Sequence, residues 1–545
     1  MMTLARPHWK SAIAVAVLLM CTVVVVTRDT VTHSATPPAE FVSVGFSPYQ
    51  ADNPSISADG GLVAYDYQND TENDLNVRNR SVPNTETLTP FGTARAYPYD
   101  LQISRDGCQT VWTQDVAVTP ESSANRAAII AQNRCTGAAP VELYLGSDVQ
   151  STSGFSSLSI STRGRYVAFN DYSAHTVIRL DRDTNANGVL DDSTQAVATT
   201  PAGDLAQDPS LGDDAISGKM SLTAQVTGSK LYEIYVWDPS NPAAPLLLVS
   251  SAEGSTTDPV PYQSITSAMT PDARYVVFDM VLRIVTGKTA TNIDQIVVRD
   301  TVTNHNAIIS RDANGNYANG RSVQPSISAD GTQIAFGTLS NNIPIVPAVG
   351  GVIGANNEGS FDLLVARSLT GYFDTLTYDR VSLKPDGTPV DTTHPFQGRQ
   401  YMDIPRISAN GRWVAFGSSY NDELQNGGTS SANSADLAPE VYVIGRPTAV
   451  SGSAVSFGSV NVGATTAAKL VTITNTGISS FLPARISTTG NFTAVGGGTC
   501  TINVYLSPGQ SCTVAVRFKP TAAGARSGVL TVAETGFGAI SAAVK

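Results

Sequence analysis

The sequence has little charge and few cysteines, histidines or aromatic side chains. Charged residues make up 15% of its 545 residues, aromatic residues make up 7%, and there are 5 cysteines and 5 histidines. Acidic residues outnumber basic ones 46 to 34, and no run of Lys and Arg interrupts this acidic balance. Proteins that bind nucleic acid neutralise phosphates with clustered basic side chains. The composition therefore argues against a nucleic-acid partner.

Familiar catalytic motifs are missing as well. The chain contains no Gly-x-Ser-x-Gly nucleophile turn, no His-Glu-x-x-His pair and no phosphate-binding loop. Past the first segment the histidines stand singly, at His33, His175, His305 and His394. We therefore expect a non-catalytic protein. The alternative is a hydrolase or lyase acting on polysaccharide, because glycoside chemistry needs only two carboxylates and the chain has many.

The N-terminal segment is typical of a protein destined for export. Arg6 and Lys10 precede the uncharged residues 11–27, which end at Arg28. This pattern predicts that residues 1–35 form a signal peptide or an N-terminal anchor, and no other stretch could span a membrane. We expect a periplasmic, cell-surface or secreted bacterial protein that meets the membrane only through this segment, if the segment is retained.

The remaining cysteines form two local pairs. Apart from Cys21, the cysteines are Cys108, Cys135, Cys500 and Cys512. An even number in an exported chain favours disulfides, and four cysteines allow three pairings. If each pair lies on opposed strands of a hairpin, its Cα atoms fall within disulfide range. We therefore predict the local pairings, with a structural role.

A short phrase of the type Pro-Ser-Ile-Ser-Ala-Asp-Gly recurs along the chain and is followed each time by a run such as Val-Ala-Phe. The spacing is about 58 residues, which is typical of a repeat architecture. The clear copies lie at 54–60, 101–107, 158–164, 269–273, 325–331 and 405–411, and a degenerate copy lies at 209–218.

Each phrase predicts a β-hairpin, because Gly supplies the positive φ of a tight turn between two apolar strands. Third strands are predicted at 233–238, 295–300, 362–366 and 440–444, and fourth strands at 246–249, 307–310 and 380–383. Seven units of four short antiparallel strands predict an all-β chain with a seven-bladed β-propeller over residues 36–447. A parallel β-helix is the alternative, but its coils are usually shorter and lack the recurring hairpin.

The last unit ends after its third strand, near Gly445. Residues 41–46 resemble a fourth strand, since Phe41-Val-Ser-Val44 is similar to Arg380-Val-Ser-Leu383. We predict that residues 41–46 form the outer strand of the last blade and close the ring.

These repeats resemble the TolB-type, WD40-like propeller repeats of bacterial exported proteins, over roughly residues 41–446. The resemblance rests on the recurring phrase and on later strands of the type Val-Val-Arg-Asp. It implies a propeller that binds a partner at the cell envelope. The α/β domain that precedes the propeller in TolB is absent from this sequence, as is the hydrolase domain of propeller-bearing peptidases.

Residues 448–545 differ in composition, being rich in Gly, Thr, Val and Ser. Short alternating strands predict a β-sandwich there. The phrases at 455–463, 470–477, 506–512, 516–521 and 527–532 resemble, in that order, the Hydin/ASH-type immunoglobulin-like domain, also called choice-of-anchor D. That resemblance implies a scaffold or adhesion role without chemistry.

One loop has the residue pattern of a calcium site. Oxygen-bearing side chains at Asp183, Asn185 and Asn187 precede Gly188, and Val189 and Asp191 would add a carbonyl and a carboxylate. The Glu that usually ends such a loop is missing. The same residues also make plain hairpin turns, so bound Ca2+ and an ordinary turn remain alternatives. A second acidic stretch, 66–74, offers further oxygen ligands.

Five tyrosines precede the hairpin strands, where propeller connections line one mouth of the central channel: Tyr97, Tyr99, Tyr262, Tyr317 and Tyr401. Tyrosine has an apolar ring with a polar tip, which suits recognition surfaces. We expect a protein, peptide or glycan partner there; the alternative is that these rings pack between blades. A cell-surface spacer with two plain mouths is a third possibility.

Overall fold

The computed structural model of the protein describes residues 40–42, 50–68, 73–80, 84–88, 98–117, 125–146, 155–171, 174, 176–190, 194–197, 206–212, 218–225, 231–241, 246–255, 264–286, 289–345, 361–368, 373–382, 402–418, 440–445, 450–452, 455–475, 483–502, 504, 506, 510–534 and 539–544. Every regular element within these ranges is a β-strand. No helix among them is long and apolar enough to cross a membrane.

The recurring units fold into seven four-stranded antiparallel sheets, numbered here in chain order. Sheet 1 holds β2 (Gln50–Ile56), β3 (Leu62–Gln68), β4 (Asn73–Asn79) and β5 (Asn84–Leu88). Sheet 2 holds β6 (Tyr99–Ile103), β7 (Gln109–Ala117), β8 (Asn125–Asn133) and β9 (Val141–Leu145). Sheet 3 holds β10 (Phe155–Ile160), β11 (Tyr166–Asp171), β12 (Thr176–Asp181) and β13 (Thr194–Val197). Sheet 4 holds β14 (Ala206–Leu211), β15 (Met220–Gln225), β16 (Tyr232–Trp237) and β17 (Leu247–Leu248).

The remaining sheets follow the same order. Sheet 5 holds β18 (Ser264–Met269), β19 (Tyr275–Thr286), β20 (Thr289–Asp300) and β21 (His305–Ile308). Sheet 6 holds β22 (Ser322–Ile327), β23 (Gln333–Thr338), β24 (Asp362–Ser368) and β25 (Leu376–Arg380). Sheet 7 holds β26 (Met402–Ile407), β27 (Trp413–Ser418), β28 (Glu440–Gly445) and, from the other end of the chain, β1 (Glu40–Phe41).

Each residue of the recurring phrase has a local role in the turn between the first two strands of a sheet. In sheet 1 the Ser57 hydroxyl donates to Asp59 over 2.8 Å and accepts the Leu62 N–H over 3.0 Å. Gly60 takes a φ of 75°, which a side chain would strain. The pairs that repeat this hydroxyl-to-oxygen contact are Ser104 with Asp106, Thr270 with Asp272, Ser328 with Asp330, and Ser408 with Asn410.

The fourth strands end earlier than the sequence predicts. In sheet 6 the predicted segment is 380–383, whereas β25 ends at Arg380. The cause is a serine side chain, because the Ser382 hydroxyl accepts the Leu363 N–H and donates to Asp362 over 3.0 Å. The Ser382 side chain therefore takes the place of the next backbone hydrogen bond between the two strands. Serines at 250 and 310 make the matching contacts in sheets 4 and 5.

Neighbouring sheets are joined by apolar clusters, so that most of the core lies between sheets. Each consecutive pair of sheets shares one such cluster. A further cluster joins sheet 7 to sheet 1 through Val42, Val63, Tyr65, Ala415 and Val441. The sheets therefore surround a common axis as in a β-propeller.

The first and last sheets are also joined by hydrogen bonds. The N–H of Asn410 in sheet 7 donates to the carbonyl of Ala58 in sheet 1 over 3.2 Å. β1 pairs antiparallel with β28, opposing Glu40 to Val443, and Val42 donates to Val441 over 3.0 Å. The sequence predicts such a closing strand at 41–46, of which 43–46 lie outside the described residues.

The C-terminal segment forms two further sheets. One contains β29 (Val450–Gly452), β30 (Lys469–Asn475), β33 (Ser511–Phe518) and β32 (Phe492–Val495), and the other contains β31 (Pro483–Thr488), β34 (Gly528–Glu534) and β35 (Ala539–Val544). One apolar cluster draws on both sheets, with Phe457, Phe492 and Phe518 packed ring against ring on one side and Leu530 and Val532 on the other.

Gly331 and Ala273 occupy equivalent turn positions, with φ values of 72° and 58°. We expect Gly331→Ala to lower the free energy of unfolding by more than about 1 kcal/mol, because the new Cβ is strained and meets the Tyr275 ring. The free energy of unfolding of Ala273→Gly should lie within about 1 kcal/mol of the wild-type value or above that value, because the substitution removes the strain of a positive φ. Urea denaturation of both variants checks this. An equal loss of stability in the two variants would contradict the view that the positive φ at this turn position determines the effect.

Deletion of residues 1–43 removes β1 and Val42, which is 0% exposed. We expect this deletion to destabilise the ring by about 2 kcal/mol or more, because a buried valine and the outer edge of β28 lose their partners. Deletion of residues 1–38 is the control, since β1 remains. Thermal unfolding compares the two chains, and identical midpoints would show that β1 does not support the ring.

Candidate functional site

The axis of the ring is a cavity of about 860 Å³, lined by the first strands of all seven sheets. Its wall is mixed rather than apolar, with polar side chains including Asn53, Asp100, Ser157, Asp208, Gln324 and Arg406. Apolar residues such as Ile56, Leu158 and Met269 lie between them. A concave surface with a few polar groups among apolar ones is the usual form of a ligand site.

The polar residues enter the cavity because the first strands are bulged. In sheet 1, Asp52 opposes Asp66 but Ser55 opposes Ala64, so one extra residue is inserted. The described residues in the left-handed region at this position have φ between 50° and 55°: Asn53, Asp100, Ser157, Asp208 and Gln324. Such a conformation costs a non-glycine residue about 1 kcal/mol or more, so this ring of side chains stores strain.

The bulges release backbone N–H groups from the strand ladder, and carboxylates accept them. Asp66, 1% exposed, accepts the N–H groups of Asp100 over 2.7 Å and Leu101 over 2.9 Å. Asp100 in turn accepts the N–H of Leu158, in sheet 3, over 2.8 Å. Ser157 donates its hydroxyl to Asp208, in sheet 4, over 2.6 Å. These acids tie sheets 1 to 4 to one another in succession.

Burial shifts the titration of these acids. It raises the pKa of Asp66 to about 7, and the neighbouring charge of Asp100 raises it further against the lowering effect of the donated N–H groups. Burial is also the largest cause of the raised pKa values of Asp100 and Asp208, and the charge of Asp100 adds to the rise at Asp208. The channel wall therefore resists holding several negative charges together.

Tyr99 Oη, Asp115 Oδ1 and Thr266 Oγ1 are polar atoms of the cavity wall that have no hydrogen-bond partner among the described residues. Asp115 is 4% exposed, and burial raises its pKa. Burial raises the pKa of Tyr99 too, with the charge of Asp115 as the next cause. A buried polar atom without a partner costs about 1–3 kcal/mol, so these atoms are the ones that a ligand would satisfy.

The predicted tyrosines fall in different places. Tyr99 lines the cavity. Tyr317 does not, because it lies in a hairpin turn outside the inner strands, where it bridges to Arg311 and is 37% exposed. Tyr97, Tyr262 and Tyr401 lie outside the described residues, so their predicted role remains a prediction.

The 183–191 loop connects β12 and β13 at the outer edge of sheet 3. Asp183 Oδ2 accepts the Gly188 N–H over 3.1 Å, Asn185 accepts the Asn187 N–H over 2.9 Å, and Asn187 accepts the Val189 N–H over 2.7 Å. Asp191 lies outside the described residues. Within the described part of the chain no group of three or more His, Cys, Asp or Glu side chains could hold a metal ion. Amide and carbonyl oxygens would have to supply the remaining ligands.

In the acidic stretch 66–74, Asp66 faces the channel wall as described above, and residues 69–72 lie outside the described residues. This stretch therefore offers no set of converging oxygens among its described residues.

The two disulfides join Cys108 to Cys135 and Cys500 to Cys512, the local pairings that the sequence favours. Their Cα atoms lie 5.0 and 4.8 Å apart, within the range expected for opposed strands. The first bridge closes the β7–β8 hairpin just beyond its ladder. None of these cysteines is among the cavity-lining residues, and both bridges are suited to an oxidising compartment.

The channel acids are the residues that sequence reasoning missed. A signal was present, because the residue immediately before the recurring phrase is polar in five units: Asn53, Asp100, Ser157, Asp208 and Gln324. In a regular strand, side chains alternate between the two faces of the sheet, and this alternation would set the direction of that side chain. The bulge changes the direction. Asp115 has no comparable signal, since its strand reads as an ordinary apolar run, and the sequence singles out Asp66 only as part of the acidic stretch 66–74.

No family model matches the sequence, and no curated protein matches it. Among solved structures, the β-propeller domain of the trilobed protease from Pyrococcus furiosus is 12% identical, with a TM-score of 0.42 over 74% of this chain and 94% of that one. Oligogalacturonate lyase from Vibrio parahaemolyticus is 10% identical, with a TM-score of 0.42 over 75% and 96%. TolB from Acinetobacter baumannii is 13% identical, with a TM-score of 0.34 over 59% and 66%. Likenesses at this level identify neither a substrate nor a partner.

The raised pKa of Asp66 predicts how stability depends on pH. The folded chain keeps a proton that the unfolded chain releases between about pH 4 and pH 7, so the free energy of unfolding should fall as pH rises through that window. Asp66→Asn removes this titration, and we expect a shallower fall. Urea denaturation at steps from pH 4.5 to pH 8 measures it.

The control for this measurement is Glu142→Gln, at an exposed position on β9, which should keep the wild-type slope. Asp100, Asp115 and Asp208 also have raised pKa values, so some slope should remain in Asp66→Asn. Indistinguishable slopes in the wild type and Asp66→Asn would refute the assignment of a proton to Asp66.

Proposed function

We propose that the protein is an exported, non-catalytic binding protein whose channel takes a basic peptide segment of a partner at the cell envelope. In this proposal the seven sheets are the blades of one closed propeller of TolB type, and residues 448–545 are an immunoglobulin-like domain of the Hydin/ASH type. The observation that carries the proposal is the cavity wall, with its unpartnered Tyr99, Asp115 and Thr266 oxygens.

The charge and hydrogen-bonding of the wall favour a ligand rich in donors. Asp100, Asp115 and Asp208 line the cavity and outnumber its two lining arginines, Arg105 and Arg406, and Asp115 Oδ1 accepts nothing within the described chain. An ammonium or guanidinium group would donate to that oxygen and would also stabilise the charged form of the neighbouring acids. A cationic ligand thereby removes the cost that burial imposes on these carboxylates.

A peptide suits the wall better than a glycan does. Tyr99 is the one aromatic residue among the described lining residues. Sugars usually bind against aromatic faces, whereas extended peptides use scattered polar groups between small apolar patches. The alternation of Asn53, Ile56, Asp100 and Leu158 around the wall is of the second kind.

Export is supported by the two disulfides and by the N-terminal sequence, with its basic residues followed by an uncharged apolar run. For the immunoglobulin-like part we propose a scaffold or adhesion role, which its resemblance to the Hydin/ASH-type domain implies.

A second candidate function is a hydrolase or lyase acting on polysaccharide in the same channel. The observation that favours it is the pair Asp100 and Asp208, two carboxylates that line the cavity and interact electrostatically, since glycoside chemistry uses a pair of carboxylates. Against it, Asp100 accepts hydrogen bonds from Leu158 and Gln102, and Asp208 accepts one from Ser157. These bonds are suited to holding the wall in place.

The test is binding of a panel of Lys- and Arg-containing peptides, each with a Glu-substituted twin, and of acidic and neutral oligosaccharides to the purified chain. We expect basic peptides to bind and their twins not to bind. Asp115→Asn should weaken binding by at least about tenfold, because it removes the unpaired negative acceptor. Calorimetry measures the affinities, and mass spectrometry establishes whether each ligand is recovered intact.

Asp312→Asn, at an exposed turn far along the chain, is the matched control and should bind as the wild type does. Asn is tolerated at 115 because the site already disfavours the charge. Binding of basic peptides that is unaffected by Asp115→Asn would sink the channel proposal. An oligosaccharide recovered in shortened form, with cleavage lost in Asp208→Asn, would establish the second candidate instead.

A further inference from the structure

Asp183 has a buried oxygen that the surrounding turn does not explain. The side chain is 7% exposed, and its Oδ2 reaches across the loop to the Gly188 N–H. Its Oδ1 is buried and has no hydrogen-bond partner among the described residues. A plain hairpin turn has no reason to bury a carboxylate oxygen unpaired, since water would serve it better at the surface.

The nearby cations are already engaged elsewhere. Arg165 makes a two-pronged pair with Asp181, over 2.8 and 3.1 Å. Arg182 donates to the Gly164 carbonyl over 2.8 Å and to Gln109 over 3.3 Å. Asp183 Oδ1 receives no hydrogen bond from a cation in the described part of the chain, although Arg165 is close enough for their charges to interact. A cation from solution would give this oxygen a direct partner.

The remaining loop oxygens are arranged around the same bend. Asn185 and Asn187 each use a side-chain oxygen to accept a backbone N–H two residues later, and Gly188 has a φ of 81°. A carbonyl oxygen has two lone pairs, so each amide oxygen can still accept a cation while it holds its N–H. Val189 adds a backbone carbonyl at the next alternate position.

We propose that this loop binds one calcium ion through Asp183, Asn185, Asn187 and the Val189 carbonyl. Calcium accepts carboxylate, amide and carbonyl oxygens in a tolerant geometry, whereas magnesium demands a near-octahedral set and keeps its waters. Few of these ligands are charged, so the dissociation constant should be about 0.1–1 mM, in the range of extracellular modules. The ion would fix the β12–β13 connection of sheet 3, independently of the channel.

A second loop of the chain provides a matched comparison. Asp312-Ala-Asn-Gly-Asn316, between β21 and β22, has the same residue types and a glycine with positive φ. Asp312 accepts the N–H groups of Asn314 and Asn316 with one oxygen and the Asn316 side chain with the other. Both of its oxygens have partners, so this loop is complete without an ion.

The experiment is calorimetric titration of the purified, chelator-treated full chain with calcium chloride and, separately, with magnesium chloride. We expect about one calcium per chain, a higher thermal midpoint in calcium than in chelator, and little response to magnesium. Asp183→Asn should weaken calcium binding by more than about tenfold, because it removes the charged ligand. Asp312→Asn should bind as the wild type does.

Absence of calcium binding by the wild type at 10 mM, roughly ten times the weakest affinity expected, would overturn the proposal. Equal binding by the wild type and Asp183→Asn would overturn it too, by placing the ion elsewhere. If the Asp183→Asn chain does not fold, Asn185→Ala is the second variant. Its side chain is exposed, so the fold should persist while calcium binding weakens, and unchanged binding there would likewise contradict the assignment.

Discussion

The backbone N–H groups released by the bulged inner strands are the constraint on which the rest of the ring depends. The inner strand of each sheet has one partner strand in its own sheet and lies beside the inner strands of the neighbouring sheets. Its free amides must find acceptors inside the wall. Asp66 and Asp100 supply them across the boundaries between sheets 1, 2 and 3. The acids that make the channel polar are therefore also the acids that join the sheets.

The carboxylates that line the cavity, or that accept hydrogen bonds from its lining residues, are of two kinds. Asp66 and Asp100 are occupied by amides, and removing either would leave backbone donors unsatisfied. Asp115 is buried with an unpartnered oxygen and supports no neighbouring strand through it. Raised pKa values alone do not separate these roles, because burial is the first cause in all three. The hydrogen-bond partners separate them, which is why the proposed recognition rests on Asp115 and Tyr99.

Sequence reasoning predicts features whose causes are local. The turn phrase is readable because Ser57, Asp59 and Gly60 act on atoms within five residues of each other. Both disulfide pairings follow from the hairpins in which the cysteines lie. The ends of the fourth strands are harder to predict from the sequence, because the Ser382 side chain replaces a backbone hydrogen bond of the sheet. The positions of the channel acids are the hardest to predict, since a bulge sets the direction of each side chain and the hydrogen-bond partners lie on other sheets.

The two Asn-rich loops show the same limit within one chain. The 183–188 and 312–316 segments share residue types and turn hydrogen bonds, and both contain a glycine with positive φ. Their difference is that Asp183 is buried, next to the Arg165–Asp181 pair, whereas Asp312 is only partly buried in a turn whose other residues are exposed. Water can hydrogen-bond to the oxygens of a solvent-accessible carboxylate. A buried carboxylate oxygen depends on the partners that the folded chain provides. The difference between the two loops therefore lies in the tertiary packing around one aspartate, which the residue pattern of the loop does not encode.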